Sequence, residues 1–182
     1  MTKLRRAVTV LIGLIFVTLQ GCATLPSSRN SEDLPHFSRV DEQLARGGQP
    51  TAEGFRQLAK TGVRTVVDLR AEHIGGKEKE VVESLGMRSV HLPVLPGGRP
   101  SDKQVFAFLE LVQDPQRRPV FVHCQRGKFR TGILVAIYRI AVLGWPPEKA
   151  YAEAQSLGMA VSPESRRLIL EEAKQKFSQQ KR

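Results

Sequence analysis

The stretch that most constrains the fold of this chain is Val120–Gly132, which reads VFVHCQRGKFRTG. An apolar, β-prone run ends at Cys124, and a short loop then leads to Arg130 and a long apolar pattern typical of a helix. A strand, a tight loop and a helix N-terminus in this order direct backbone N–H groups to one point, where the helix dipole adds partial positive charge. The sequence therefore predicts a pocket for a tetrahedral oxyanion.

Two side chains would give this pocket its chemistry. Cys124 would lie at its floor, where the same positive field stabilises a thiolate. Arg130 can hold two oxygens of a phosphate with its planar guanidinium group. The alternative interpretation is a structural cysteine at the end of a strand, followed by an unrelated arginine.

The motif His-Cys-x5-Arg-Thr-Gly resembles the signature loop of the cysteine-dependent protein tyrosine and dual-specificity phosphatases. The version here, HCQRGKFRTG, is most similar to that of the small atypical dual-specificity phosphatases of plants, fungi and bacteria. Three upstream segments resemble the same group: LARGGQPTAEGFRQL, GVRTVVDLRAE and SVHLPVLPGGRPSD. The resemblance therefore extends over residues 37–159, which is most of the chain.

This resemblance implies a phosphatase that works through a phosphocysteine intermediate. Cys124 would be the nucleophile, Thr131 would bond the thiolate, and His123 would orient the loop through backbone hydrogen bonds. The substrate-binding residues that it implies are Gln125, Arg126, Gly127, Lys128, Phe129 and Thr131. No cofactor is expected, because Arg130 and the loop supply the positive charge that a metal gives elsewhere. The histidines show no metal-ligand spacing with acids or cysteines, so we also predict no metal.

The general acid is the least defined part of the motif. Phosphatases of the resembled type usually carry an aspartate in the loop before the helix that precedes the signature strand. Here that loop is residues 96–102, the expected position holds Pro96, and Asp102 is the only carboxylate nearby. Asp102 is therefore the candidate acid, with a helix N-terminal acid that complements the dipole as the alternative. Without an acid, substrates with good leaving groups would be favoured.

Charges in the loop bear on the substrate. Arg126 and Lys128 add positive charge beside the pocket, which favours polyanions such as inositol phosphates. The simpler interpretation is that they strengthen an anion site for phosphotyrosine in a protein. The formal net charge of +10 also indicates affinity for anions, but no nucleic-acid motif or stacking aromatic pattern accompanies it. A catalytically weak phospholigand-binding lipoprotein is the alternative function.

The N-terminus has the pattern of a targeting segment. Positive residues precede an uncharged apolar run over residues 7–19, which predicts a signal peptide over residues 1–21. The sequence Leu-Gln-Gly-Cys ending at Cys22 resembles a bacterial lipoprotein signal, in which the cysteine is lipidated; an ordinary signal peptide or an uncleaved anchor is the alternative. Ala23 after this cysteine favours the outer membrane, facing the periplasm. Residues 22–35 would then be the lipidated end and a flexible tether.

The remaining pattern predicts one monomeric α/β phosphatase domain over residues 36–178 and a basic tail over residues 179–182. Its mostly parallel sheet would have about four or five strands flanked by helices. We predict strands at 63–69, 88–94 and 120–123, an extended segment over 37–44 and a turn over 46–50. The predicted helices are 52–60, 78–85, 102–113, 131–143, 148–157 and 163–177. Asp68, Arg70 and Glu72 would form a salt-bridged strand exit bordering the loop, with direct substrate contact as the alternative.

Overall fold

The structure is a computed structural model that describes residues 32–72 and 76–177. The predicted signal peptide, Cys22, most of the tether and the basic tail lie outside the described residues. Among the helices within those two ranges, none has the length and apolar character needed to cross a membrane.

A sheet of five strands in the order β1-β2-β5-β3-β4 forms the centre of the domain. The strands are β1 (Ser38–Arg39), β2 (Leu44–Gly47), β3 (Thr65–Arg70), β4 (Arg88–Val94) and β5 (Val120–His123). Only β1 pairs in the antiparallel sense, which confirms the predicted mostly parallel α/β sheet. Because β5 lies between β2 and β3, the loop that follows β5 emerges between the carboxyl ends of both neighbours.

Helices cover both faces of this sheet. They are α1 (Ala52–Lys60), α2 (Gly76–Ser84), α3 (Asp102–Gln113), α4 (Phe129–Ala141) and α5 (Pro147–Ser156). The predicted bounds of α1 and α3 are confirmed, as are their caps: the hydroxyls of Thr51 and Ser101 accept from backbone N–H groups three residues on. The predicted bounds of β4 and β5 are also confirmed, whereas β3, α2, α4 and α5 differ from the prediction by one or two residues at their ends.

The last predicted helix is interrupted. The structure has α6 (Pro163–Arg167), a π-helical turn (Leu168–Glu172) and α7 (Ala173–Phe177) in place of one continuous α-helix. Buried residues from the π-helical turn and from α7 join the larger core cluster together with α3, α4 and α5. A smaller cluster packs α1 and α2 on the other face. Helix α4 is buried along nearly its whole length, as its continuous apolar pattern predicts.

The predicted turn over residues 46–50 is wrong at its start, because Arg46 and Gly47 belong to β2. They pair with Val122 and His123 of β5, so β2 runs in register to the start of the loop over residues 124–130. Glycine here serves a close approach: an added Cβ at Gly47 would meet the ring of Phe121 at 2.9 Å. Gly47 therefore continues the strand and does not begin a turn.

The first described residues pack against the start of α1. Thr51 N–H donates to the Asp33 carbonyl at 3.1 Å, and Gly48 N–H donates to the Pro35 carbonyl at 2.7 Å. Gly54 in α1 lies so close to Asp33 that an added Cβ would fall well inside van der Waals contact with the Asp33 carbonyl oxygen. The segment therefore enters the domain beside β2 and leaves no room for a side chain at Gly54.

We predict that Gly54→Ala destabilises the protein. An alanine inside an exposed helix normally adds up to about 1 kcal/mol of stability over glycine, but here the methyl group must displace the Asp33 backbone. The free energy of unfolding should fall by about 1–3 kcal/mol, the usual cost of overpacking. Urea unfolding would measure it. The matched control is Gly76→Ala in α2, whose Cβ would meet only a Glu80 side-chain oxygen at 3.4 Å, and an equal effect of both changes would contradict the account.

Candidate active site

Arg46 of β2 holds the loop between β5 and α4 in place. Gly127, within the loop, has φ of +68°, and a Cβ at this position would overlap the backbone of Gly47. The buried Arg46 guanidinium donates from Nη2 to the Gly127 carbonyl oxygen at 2.6 Å. This bond ties down the carbonyl, while the Gly127 N–H is directed to the Cys124 sulfur. The loop is therefore fixed in the orientation that points donors at an anion.

Cys124 is buried at the floor of the loop, as predicted. Burial alone raises the pKa of its thiol. This effect is outweighed by hydrogen bonds from the hydroxyl and backbone N–H of Thr131, by the charge of Arg130 and by the Gly127 N–H, which together lower the pKa of Cys124 below its ordinary value. The buried Thr131 hydroxyl bonds no oxygen or nitrogen of the described residues, so it is free to serve the sulfur.

Arg130 is held in place by a bidentate ion pair with Glu72. Its Nη1 and Nη2 donate to the two carboxylate oxygens at 2.6 and 2.7 Å, and Nη1 also donates to the Val94 carbonyl at 3.1 Å. The guanidinium lowers the pKa of Glu72 to about 2, so this carboxylate is ionised at any working pH. Glu72 therefore holds the planar guanidinium of Arg130 in one orientation beside the thiol.

The strand exit of β3 differs from the prediction in one respect. The salt bridge is confirmed, since Arg70 donates to both oxygens of Asp68 at 2.8 and 2.7 Å. Glu72, however, does not take part in this salt bridge, and both of its carboxylate oxygens are already bonded to Arg130. It is the partner of Arg130, a role that neither alternative from the sequence included.

A buried polar network lies behind His123. Its Nε2 is 3.1 Å from Glu78 of α2, and Glu78 also accepts from Arg70 at 2.6 Å and from Gln49 at 2.8 Å. The imidazole stacks on Phe121, with ring centroids 5.7 Å apart. Within the described residues, Nδ1 makes no hydrogen bond, so the expected bonds to the backbone are replaced by the Glu78 carboxylate.

The same network contains a possible cation site that the sequence did not indicate. One ligand atom each from Asp68, Glu78 and His123 lie within 4.8 Å of one another, a grouping that could hold a metal. The Arg70 guanidinium already bonds both carboxylates of this group. A metal would have to displace that cation, which argues that the charge here is balanced by arginine.

The other predicted loop residues differ in exposure. Gln125 and Arg126 are exposed, whereas Lys128 and Phe129 are half-buried. Phe129 is the first residue of α4, and its side chain packs against the larger core, so it can reach a phosphate only through its backbone. The structure therefore brings the loop residues, Arg130 and Thr131 around Cys124, with the charged side chains at the outer rim.

Asp102 is the first residue of α3 and is partly exposed. Its carboxylate accepts from Lys176 at 3.3 Å and lies 3.6 Å from the Arg99 guanidinium. These contacts suit an acid that complements a helix N-terminus. Its role as general acid stays a prediction.

Sequence reasoning missed three residues that support the loop: Arg46, Glu72 in its actual role, and Glu78. Arg46 carries a signal, because a charged residue that ends the apolar run Leu44-Ala45 and precedes two glycines is unusual in a simple turn. Glu78 lies among other acids and lysines of α2 and has no distinguishing neighbour.

Comparison with known proteins decides the family. A family model described as "DSP-PTPase phosphatase fused to NAD+ Kinase" matches residues 21–172. The chain belongs to this phosphatase family. The resemblance inferred from the motif is confirmed. The family is part of the cysteine-dependent dual-specificity phosphatase superfamily.

Several proteins are similar to this chain over 113 to 121 residues. The chain is 33% identical over 120 residues to the chloroplastic NAD kinase 2 of Arabidopsis thaliana, covering 62% of this chain and 12% of that protein. It is 33% identical over 121 residues to the dual specificity protein phosphatase TpbA of Pseudomonas aeruginosa, covering 66% and 53%. It is 30% identical over 113 residues to inositol diphosphatase DSP5 of Arabidopsis thaliana, covering 58% and 53%. The chain thus spans about half, or much less, of the length of these relatives.

The fold agrees with this assignment. The crystal structure of Pseudomonas aeruginosa TpbA in complex with phosphotyrosine matches with a TM-score of 0.58 and 29% identity, over 68% of this chain and 75% of that one. The α/β domain with its central β5–loop–α4 unit is therefore that of the DSP-PTPase phosphatases.

We predict that Thr131→Val raises the pKa of the Cys124 thiol, because the change removes a hydrogen bond that stabilises the thiolate. Less thiolate is then present at a given acidic pH, so the acidic limb of the rate of iodoacetamide alkylation should move up by about one pH unit, worth 1.4 kcal/mol. Thr131→Ser keeps the hydroxyl and should leave the limb in place. An unchanged limb in Thr131→Val would show that the hydroxyl does not act on the sulfur.

We predict that Glu72→Gln lowers kcat/KM for para-nitrophenyl phosphate by about 10- to 100-fold, because Arg130 loses the carboxylate that aligns it. The affinity for orthovanadate should fall as well, and the melting temperature should change little, since Glu72 is more than a third exposed. Glu80→Gln, at an exposed position of α2, is the control. Equal kinetics in the two variants would contradict a positioning role for Glu72.

Proposed function

We propose that this protein is a cysteine-dependent phosphatase that hydrolyses phosphomonoesters through a phosphocysteine. One observation carries the proposal: a buried cysteine, with its thiol pKa lowered, lies at the centre of a loop whose N–H groups and aligned arginine face it. A structural cysteine has no use for this arrangement, because burial without it would keep the thiol neutral.

The chemistry divides into two displacements. The phosphate of the substrate binds in loop 124–130, where backbone N–H groups and Arg130 hold its non-bridging oxygens. The Cys124 thiolate forms a bond to phosphorus as the bond from phosphorus to the leaving oxygen breaks, and that oxygen takes up a proton. Water then attacks the phosphocysteine, the P–S bond breaks, and inorganic phosphate leaves. The Thr131 hydroxyl stabilises the departing thiolate.

The source of the proton is proposed to be Asp102. It is the carboxylate nearest in sequence to the expected acid position, and it opens α3 directly after the loop that contains Pro96. Asp102 also forms ion pairs with Lys176 and Arg99, which indicate that it has a structural role as well. An enzyme with a poor acid turns over aryl phosphates and phosphoanhydrides faster than alkyl phosphates.

The substrate class is phosphotyrosine in proteins or a multiply phosphorylated small molecule. Similarity to TpbA, whose structure was determined with phosphotyrosine, supports the former. Similarity to an inositol diphosphatase supports the latter. Arg126 and Lys128 at the rim suit both, since each adds charge that attracts anions.

We further propose that the protein is a monomeric lipoprotein of the bacterial cell envelope, anchored at Cys22 in the outer membrane and facing the periplasm. The lipoprotein-like signal at residues 19–22 supports this. Labelling of cells with an alkyne-bearing fatty acid should mark the wild-type protein and leave Cys22→Ala unmarked. Equal labelling of the two would rule out this anchor.

A phosphoester-binding lipoprotein without turnover is the second candidate, favoured only by the absence of an aspartate at the Pro96 position. Hydrolysis of para-nitrophenyl phosphate separates the two functions. We expect wild type to be active and Cys124→Ser to lose at least about 1,000-fold in kcat, as with other covalent nucleophiles. Loss of the fall in rate at high pH in Asp102→Asn would assign the acid. A wild type as silent as Cys124→Ser would favour the binding function.

A further inference from the structure

A second pocket adjoins the catalytic loop on the side of β1 and β2. Its volume is about 280 Å³. Ser38 lines it from β1 and His36 from the segment just before that strand. The other polar lining residues are Arg46 from β2, Lys128 from the loop over residues 124–130 and Ser156 from the end of α5. Among the described residues that line it, cationic and hydroxyl side chains are present and carboxylates are absent. Such a lining attracts anions and offers nothing to a cation.

Arg46 brings to this pocket a buried guanidinium that forms no ion pair within the described residues. Its side chain is 2% exposed, and within the described part of the chain it forms no ion pair and its Nη1 makes no hydrogen bond. Two negative groups act on Arg46 from a distance. Glu153 is engaged by Arg139 at 2.8 and 3.1 Å, and the Cys124 thiolate is bonded by Thr131. Burying an unpaired cation is costly, and burial lowers the pKa of Arg46 to about 10.

Lys128 connects the pocket to the active site. Its methylene groups lie 3.1–3.4 Å from the place where a Cβ of Gly158 would be, so the side chain runs along this glycine. Gly158 has φ of +87°, and the loop after α5 can pass this close because no side chain intervenes. Since Lys128 belongs to the catalytic loop and also lines the second pocket, the two sites share a wall.

We propose that this pocket is a second anion subsite, which binds a phosphate group while the catalytic loop holds another. The inference rests on the proposed function, because it assigns a multiply phosphorylated substrate to the same loop. The bound group is a further phosphate of the substrate or a free inorganic phosphate, which share the chemistry that the pocket recognises. In either case the anion supplies an ion-pair partner, which Arg46 does not have among the described residues.

The test places a carboxylate on the wall of the pocket. Ser156→Glu does so at the last residue of α5, where the serine hydroxyl donates to the carbonyl three residues earlier at 2.8 Å. Ser84→Glu is the matched control, since Ser84 is the last residue of α2 and its hydroxyl makes the same bond at the same distance. Ser38→Glu, at another residue that lines the pocket, replaces Ser156→Glu if that variant does not fold.

Binding is measured by calorimetry in the Cys124→Ser background, with inositol hexakisphosphate and with inorganic phosphate as probes. We expect Ser156→Glu to weaken hexakisphosphate about tenfold or more, which corresponds to 1.4 kcal/mol, and Ser84→Glu to leave it unchanged. That result identifies the substrate's own phosphate as the group bound. Loss of only a second equivalent of inorganic phosphate would support the subsite with free phosphate as its ligand. Equal binding of both probes by the two variants would overturn the proposal.

The outcome is separable from that of the proposed function. The rate on para-nitrophenyl phosphate, measured with Cys124 intact, should differ less than about twofold between Ser156→Glu and Ser84→Glu, because this substrate carries a single phosphate. If no variant hydrolyses this ester, the proposed phosphatase activity is refuted, and the binding measurement still decides whether the subsite exists. A normal rate with equal hexakisphosphate binding would refute the subsite alone.

Discussion

The arrangement of this domain depends on one electrostatic constraint, the concentration of positive charge around a buried thiolate. Burial raises the pKa of the Cys124 thiol and so disfavours its anion. Hydrogen-bond donors and a cation held close to the sulfur lower this pKa again. The protein fixes them with charged residues from neighbouring elements: Glu72 aligns Arg130, Arg46 holds the Gly127 carbonyl, and Glu78 holds His123. Each support engages a different part of the loop, so the loop is held at both ends and in the middle.

The topology makes these supports possible. With β5 between β2 and β3, the end of β2 delivers Arg46 under the loop, and the exit of β3 delivers Glu72 beside Arg130. The carbonyl of Val94, at the end of β4, completes the set of acceptors for that arginine. Gly127 of the loop lies against the backbone of Gly47 at the end of β2, so an added Cβ at Gly127 would clash with that backbone. The packing between the end of β2 and the loop therefore also sets the geometry of the site around Cys124.

Sequence predicted what local patterns encode and missed what long-range pairing decides. The loop motif, the capped helices α1 and α3 and the buried α4 follow from spacing and periodicity over a few residues. The pairs that align the site join residues 58, 45 and 81 positions apart, for Glu72–Arg130, Glu78–His123 and Arg46–Gly127, and no periodicity marks them. The turn predicted at Arg46 failed for the same reason, since its partner lies in a distant loop. The π-helical turn at Leu168–Glu172 also lacks a local signal.

Trapping the intermediate is the most direct test of the central claim that this charge array makes Cys124 a nucleophile toward phosphorus. Wild-type protein would be mixed with para-nitrophenyl phosphate, quenched in acid within the first turnovers, digested and analysed by mass spectrometry. The account predicts one phosphoryl group on the peptide that contains Cys124, and none in Cys124→Ser or after full turnover. Turnover without phosphoryl transfer to this peptide, or with the label on another residue, would contradict it.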